Sequence, residues 1–196
     1  MELILVIAIS YLFGSIPFGL ILTKVFLNKD IRDIGSGNIG ATNVLRTGNK
    51  IIGYLTLSLD VLKAVIPVLY IKFNYPELVY VSSLSVFIGH VFPLWLKFKG
   101  GKGVATYVGI LFSINYILGF VFIASWLIIF FILRYSSLGS ILATFIIPIF
   151  VNFQVSIFVN TSQNFIICKI FDFTTMITNN FIYWCFKSIF ESYFSN

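Results

Sequence analysis

The sequence predicts an all-α, polytopic membrane bundle of about five to seven transmembrane helices, with its N-terminus outside. Three observations carry that prediction. The 196 residues are 59% hydrophobic and only 10% charged, whereas soluble domains run near one quarter charged. Apolar stretches of spanning length, about 20 residues, recur between short polar breaks. The net charge is +6, and its cations gather in two loops. The positive-inside rule places both loops in the cytoplasm and the N-terminus outside, and the two spans between the loops agree in parity. One integral membrane domain over residues 1–196 is the expectation at this length. Cations clustered in loops argue for an anionic ligand and against a nucleic-acid partner, which needs a soluble basic face.

Residues 3–27 form the first predicted span, with Pro17 and two glycines marking a bend. The stretch lacks the basic n-region and small-residue cleavage site of a secretory signal, so it reads as a retained helix. Residues 28–50 are a polar loop flanked by Lys24, Lys29, Arg32, Arg46 and Lys50. Residues 51–73 are the second span. Asn74-Tyr75-Pro76-Glu77 is a tight turn. Residues 78–96 are the third span, and Lys97, Lys99 and Lys102 fill the second basic loop. Residues 107–133 are long for one crossing and short for two. Asn115, Tyr116 and Gly119 make a hairpin of two short helices possible, and one tilted helix is the alternative. Residues 134–140 are the next polar break, and residues 141–158 are a span containing Pro148. Residues 165–194 are apolar but patchy. Cys168 and Cys185 sit in apolar surroundings without His or carboxylate companions, which predicts buried thiols and no metal site.

The two polar, glycine-rich stretches hold the candidate chemistry. Gly35-Ser36-Gly37-Asn38-Ile39-Gly40 fits the dinucleotide pattern G-x-G-x-x-G, and Asp60 stands 20 residues after Gly40. No strand precedes it, and Asp60 lies in a predicted span, so a Rossmann reading fails. The physics of the glycines survives: they allow positive φ and close backbone approach to a phosphate. Gly100-Gly101-Lys102-Gly103 fails as a Walker loop, because Leu96 and Gly103 replace the required glycine and hydroxyl residue. What remains is a lysine held among three glycines, a point charge suited to phosphate. Lys97 and Lys99 read as topology signals. Together the loops predict one anion-binding site at a membrane surface.

Asp60 and Lys63 share a helix face inside the second span, so each is the expected partner of the other. A structural ion pair is the favoured role. His90, the sole histidine, lies between Gly89 and Pro93 and is expected to fix the loop and not to act as a base. Ser136, Ser137 and Ser140 add hydroxyls to an anion site only if residues 107–133 return them to the cytoplasmic side.

Three motifs together are similar to those of the bacterial acyl-phosphate-dependent glycerol-3-phosphate acyltransferase family. They are the run Ser36-Gly37-Asn38-Ile39-Gly40-Ala41-Thr42-Asn43-Val44-Leu45-Arg46, then Leu59-Asp60-Val61-Leu62-Lys63, and Gly89-His90-Val91-Phe92-Pro93 leading to Phe98-Lys99-Gly100-Gly101-Lys102-Gly103-Val104-Ala105-Thr106. The resemblance covers residues 1–145. It implies an integral inner-membrane enzyme with a cytoplasmic-side active site. Such an enzyme transfers a fatty acyl group from acyl phosphate to glycerol 3-phosphate and makes lysophosphatidic acid for phospholipid synthesis. The resemblance also implies no cofactor and no metal, a membrane-lipid product, and a soluble enzyme that produces the acyl phosphate. By the same resemblance Ser36, Arg46 and Lys102 match positions that hold substrate phosphate, Asn38 and Asn43 shape the loop, and Ser140 matches a serine near the phosphate. Gly37, Gly40, Asp60, Lys63, His90, Gly100, Gly101 and Gly103 are supporting positions.

The tail departs from the family pattern. The family carries a His-Arg-x-Asn-Ile run and a later glutamate, and residues 152–196 contain neither arrangement, although Asn179, Asn180 and Glu191 are present. A shifted reading frame or divergence explains this, and an inactive family member is one resulting expectation. A transporter of a phosphorylated metabolite is another; its signatures are an internal repeat and helices broken at mid-membrane.

Overall fold

The computed structural model describes residues 1–157 and 172–176, so Cys168, Cys185, Asn179, Asn180 and Glu191 lie outside the described residues. Every described element is helical, and five helical stretches, Glu2–Leu27, Lys50–Asn74, Pro76–Leu96, Tyr116–Leu133 and Ser136–Phe153, are long and apolar enough to cross a membrane. The chain divides into two compact units, Met1–Tyr116 and Ile117–Asn196.

The first unit is built on α1 (Glu2–Ser15), α2 (Phe18–Leu27), α3 (Ala41–Leu45), α4 (Lys50–Asn74), α5 (Val79–Val91) and α6 (Val104–Ile114). Proline disfavours helical backbone at the residue before it, and Ile16 is extended there, which separates α1 from α2. The bend expected at Pro17 is therefore a break. Helices in lipid gain no hydrophobic drive from association, so small residues and hydrogen bonds do the work. α1 runs parallel to α5 in that manner. Gly14 packs on the Val86 backbone and Gly89 on Tyr11 and Ser15, so a side chain at either glycine would separate the helices. The hydroxyls of Ser10 and Ser82 meet at 2.8 Å, a contact worth about 0.6 kcal/mol in such settings.

Asn49 starts α4 by accepting from the Ile52 N–H at 3.1 Å, a side-chain cap for an otherwise unpaired donor. α4 then carries both basic loops on one face. The Thr106 hydroxyl donates to the Asp60 carbonyl, Gly109 packs against Val61 and Ala64, and the Lys72 ammonium donates to the Ser113 and Ile114 carbonyls. α6 therefore runs parallel to α4 and begins at the level of Asp60, about 15 Å along it. With 11 residues, α6 spans about half a bilayer. Gly100–Gly103 accordingly turns back along α4, where the sequence predicted a simple loop at the membrane surface. The reason is local: Phe92-Pro93 ends α5, and Lys97, Phe98 and Gly103 take positive φ, which reverses the chain.

The second unit contains α7 (Tyr116–Leu133) and α8 (Ser136–Ile157). Residues 107–133 are neither one tilted helix nor two short ones. Extended Asn115 ends α6, and the 18 residues of α7 reach spanning length. Arg134, at φ 62, turns the chain into α8. The Trp126 indole donates to the Ser136 carbonyl, and Gly139 packs on Trp126 and Phe130, which makes α7 and α8 a hairpin. Ser136, Ser137 and Ser140 were expected in a polar break but belong to the start of α8; only residues 134 and 135 interrupt the helix.

Candidate active site

The first loop is organised by one side chain. Asn43, 2% exposed, accepts from the Ser36 N–H at 3.1 Å. Its amide nitrogen serves the carbonyls of Ile31, Ile34 and Asn38 at 3.1, 2.8 and 2.9 Å. Asn38 makes a smaller turn of the same kind by accepting from the Gly40 N–H at 2.9 Å. Gly35 and Gly37 both have positive φ, which L-residues adopt only at a cost. Gly35 also lacks room for a side chain, because a Cβ there would sit 2.6 Å from Asn43 Oδ1 and 3.1 Å from Arg46 Nη1. Arg46 therefore lies along the Gly35–Ser36 turn. Ser36 and Arg46, ten residues apart in sequence, share one turn because Asn43 ties it.

A second device closes the loop's entrance. Asp30 receives Arg32 in a fork, Nε at 2.9 Å and Nη2 at 2.7 Å, and Lys24 at 3.2 Å. Hydrogen bonding from Arg32 holds the Asp30 carboxyl well below the usual carboxylate range, and Asp30 in turn raises the guanidinium's pKa. Lys24 and Arg32 thus share one carboxylate. Arg46 and Lys102 form no ion pair among the described residues, and neither do Lys97 and Lys99. Arg46 differs from those two by its seat on a glycine turn, and Lys102 by being half-buried between Gly101 and Gly103.

The second loop rests on His90. The N–H groups of Gly100 and Gly101 donate to the carbonyls of Val91 and His90 at 3.0 and 3.2 Å. A Cβ on Gly100 would overlap those carbonyls, and one on Gly101 would overlap the His90 imidazole. Gly103, at φ +81, packs on the Phe87 ring. His90, expected as a support, is 4% exposed and covered by glycine. Its Nδ1 lies 3.9 Å from Asp60 Oδ1. Asp60 pairs with Lys63 at 2.8 Å, as the shared helix face predicted. Lys63 also donates to the Ile16 carbonyl at 2.7 Å, at the break between α1 and α2.

Both loops lean on the same stretch of α4. Gly19 is wedged between the Ile39 carbonyl of the first loop and the Thr56 methyl. Thr56 and Asp60 are one turn apart on one face, and Thr106, just past Lys102, bonds the Asp60 carbonyl. Leu96 of the second loop packs on the apolar cluster of Leu20, Ile31, Ile39 and Val44 beneath the first. Ser140 belongs to the other unit, and its hydroxyl donates to the Ser137 carbonyl at 2.8 Å.

Sequence reasoning missed Thr106 and the Ile16 carbonyl as parts of this framework, and it missed the Lys24–Asp30–Arg32 clasp. Alternating charges over residues 29–33 were the available signal for the clasp. Nothing local marks a carbonyl that accepts from a distant side chain.

The sequence profile described as glycerol-3-phosphate acyltransferase matches residues 4–193. A glycerol-3-phosphate acyltransferase of Pelagibacter ubique is 68% identical over 150 residues, 76% of this chain and 78% of that protein. One from Bartonella henselae is 53% identical over 155 residues, 76% and 74% of the two chains. Among solved structures, the glycerol 3-phosphate form of the integral membrane acyltransferase PlsY (YgiH) aligns with a TM-score of 0.83 at 32% identity, covering 97% of this chain and 92% of that one. Its lysophosphatidic acid form aligns with a TM-score of 0.81. The chain is an all-helical, multi-pass membrane protein that belongs to the glycerol-3-phosphate acyltransferase family.

Proposed function

We propose that this chain transfers a fatty acyl group from acyl phosphate to glycerol 3-phosphate, forming lysophosphatidic acid and inorganic phosphate. Acyl phosphate is an activated electrophile with a good leaving group. A hydroxyl oxygen of glycerol 3-phosphate attacks the acyl carbon, the bond from that carbon to the phosphate oxygen breaks, and the departing phosphate takes the hydroxyl proton. No enzyme nucleophile is needed, so the protein supplies proximity and stabilisation of growing negative charge. Ser36, Arg46 and Lys102 hold substrate phosphate. Asn38 and Asn43 keep the first loop in shape. Ser140 is the further candidate that the second unit carries.

The observation that carries this reading is Arg46, without an ion pair among the described residues, seated on the Gly35–Ser36 turn that Asn43 ties. A planar guanidinium suits a phosphate. The loops face the cytoplasm, the N-terminus lies outside, and the whole chain is one domain of the bacterial inner membrane. That placement lets a soluble enzyme deliver acyl phosphate and lets the lipid product leave into the leaflet.

Purified protein given labelled glycerol 3-phosphate and palmitoyl phosphate should form lysophosphatidic acid, with no covalent acyl-enzyme trapped on quenching. A transporter is the second reading, favoured by the break at Ile16 and by the half-length α6. Accumulation of label in vesicles without acylation supports it. Neither product nor accumulation marks an inactive family member.

A further inference from the structure

Lys102 is the one phosphate-binding candidate whose position is set from inside the bundle. On its N-terminal side, Gly100 and Gly101 hang by their N–H groups from Val91 and His90, and Gly101 covers the His90 ring. On its C-terminal side, Thr106 bonds the Asp60 carbonyl. His90 and Asp60 face each other at 3.9 Å, and His90 Nδ1 has no hydrogen-bond partner among the described residues. Asp60 is held by Lys63, which reaches across to the Ile16 carbonyl. Three residues beyond Ile16, Gly19 touches the Ile39 carbonyl of the first loop. All three ionisable side chains are at most 4% exposed.

Burying an ion pair this deeply gains little stability over an apolar pair of similar size, and intramembrane ionisable groups are costly. A role beyond stability is therefore worth testing. We propose that Asp60, Lys63 and His90 are positioning residues that hold the Gly100–Gly103 turn against the α1–α2 break and thereby set Lys102 for substrate phosphate. This rests on the acyltransfer reading for its kinetic consequence only. None of the three touches substrate. Lys63 anchors Asp60 to the broken helix, Asp60 faces His90 and accepts Thr106 at its backbone, and His90 supports the glycines.

Two readouts test this. The first needs no catalysis: amide hydrogen exchange of the peptide covering residues 97–106 in lipid nanodiscs. A single substitution strands a buried ion, so the variant of choice is Asp60→Asn/Lys63→Met, which keeps size and removes both charges. It should fold with a cooperative thermal transition and exchange Gly100 and Gly101 at least about tenfold faster than wild type, because the ion pair no longer backs His90, from which the turn hangs. Unchanged exchange there would overturn the proposal. The second is a double-mutant cycle on kcat/KM for glycerol 3-phosphate. Lys102→Ala should cost the wild type about 100-fold and the neutral-pair variant less than about fivefold, since a displaced lysine has little left to lose. Full multiplication of the two losses would mean a purely structural pair and would sink the positioning role. If the wild type makes no lysophosphatidic acid, the acyltransfer reading falls while the exchange result still decides this one.

Discussion

Replacing Asn43 separates its shape from its hydrogen bonding. The side-chain oxygen accepts one N–H, from Ser36, and the amide nitrogen faces three carbonyls with two protons. That amounts to three hydrogen-bond equivalents at about 1 kcal/mol each. At 2% exposure, water reaches the stranded carbonyls poorly. Asn43→Ala should therefore cost about 3 kcal/mol, or about 6–12 °C in thermal midpoint for a chain of this size. Asn43→Asp keeps the outline and the bond to Ser36, yet it aims a carboxylate oxygen at the carbonyls of Ile31, Ile34 and Asn38. It loses both donors and adds a buried, unpaired charge, so it should cost more than alanine by about 1–3 kcal/mol. The measurements are the thermal midpoint in detergent and the initial rate against glycerol 3-phosphate. If the aspartate variant matches wild type in both, or is more stable than the alanine variant, the idea that this amide ties the loop is refuted.

Arg46→Lys replaces a fork with a point charge and should lower kcat/KM for glycerol 3-phosphate by about 10–100-fold, the worth of one charged hydrogen bond; wild-type turnover would argue against a phosphate clamp. Gly103→Ala meets both an unfavourable φ and the Phe87 ring 2.6 Å from its new Cβ. The φ alone costs about 1–2 kcal/mol, so in a Phe87→Ala background, where the overlap is gone, Gly103→Ala should cost only that remainder; a midpoint equal to that of Phe87→Ala alone would show that backbone strain is negligible. The Lys24–Asp30–Arg32 clasp depends on an ionised Asp30, whose folded pKa is depressed. Its contribution is present above about pH 4 and is lost as pH falls through the folded value. Because Lys24 and Arg32 are about half exposed, the clasp is worth less than about 1 kcal/mol. Asp30→Asn should lower the midpoint slightly at pH 7 and progressively less below pH 4, and a gap that widens on acidification would contradict that sign.

The membrane class was legible because hydropathy and cation placement are additive along the chain. Asp60 and Lys63 were legible as a pair because three residues place two side chains on one helix face whatever surrounds them. The glycine-rich loops were legible as anion candidates because glycine's backbone freedom is a property of the residue. The course of residues 97–114 was not legible. A half-length apolar helix resembles part of a longer span in composition, and only the contacts of Thr106, Gly109 and Lys72 along α4 set where it starts. Ser136 to Ser140 misled for a related reason: serines that suit a polar break also suit the first turn of a helix, and Gly139 packing on Trp126 decides between them.

By itself, the sequence determined that this chain lives in a membrane, that most of its cations cluster in two loops, and which motifs it shares with a family of acyltransferases. Those properties belong to single residues and short spacings. Only the tertiary structure decided that both loops lean on one turn of α4, that Asn43 brings Ser36 and Arg46 together, and that Lys63 reaches the Ile16 carbonyl. Each of these joins atoms far apart in sequence, and each is held by a carbonyl or a close glycine contact, which carry no side-chain signature to read in advance.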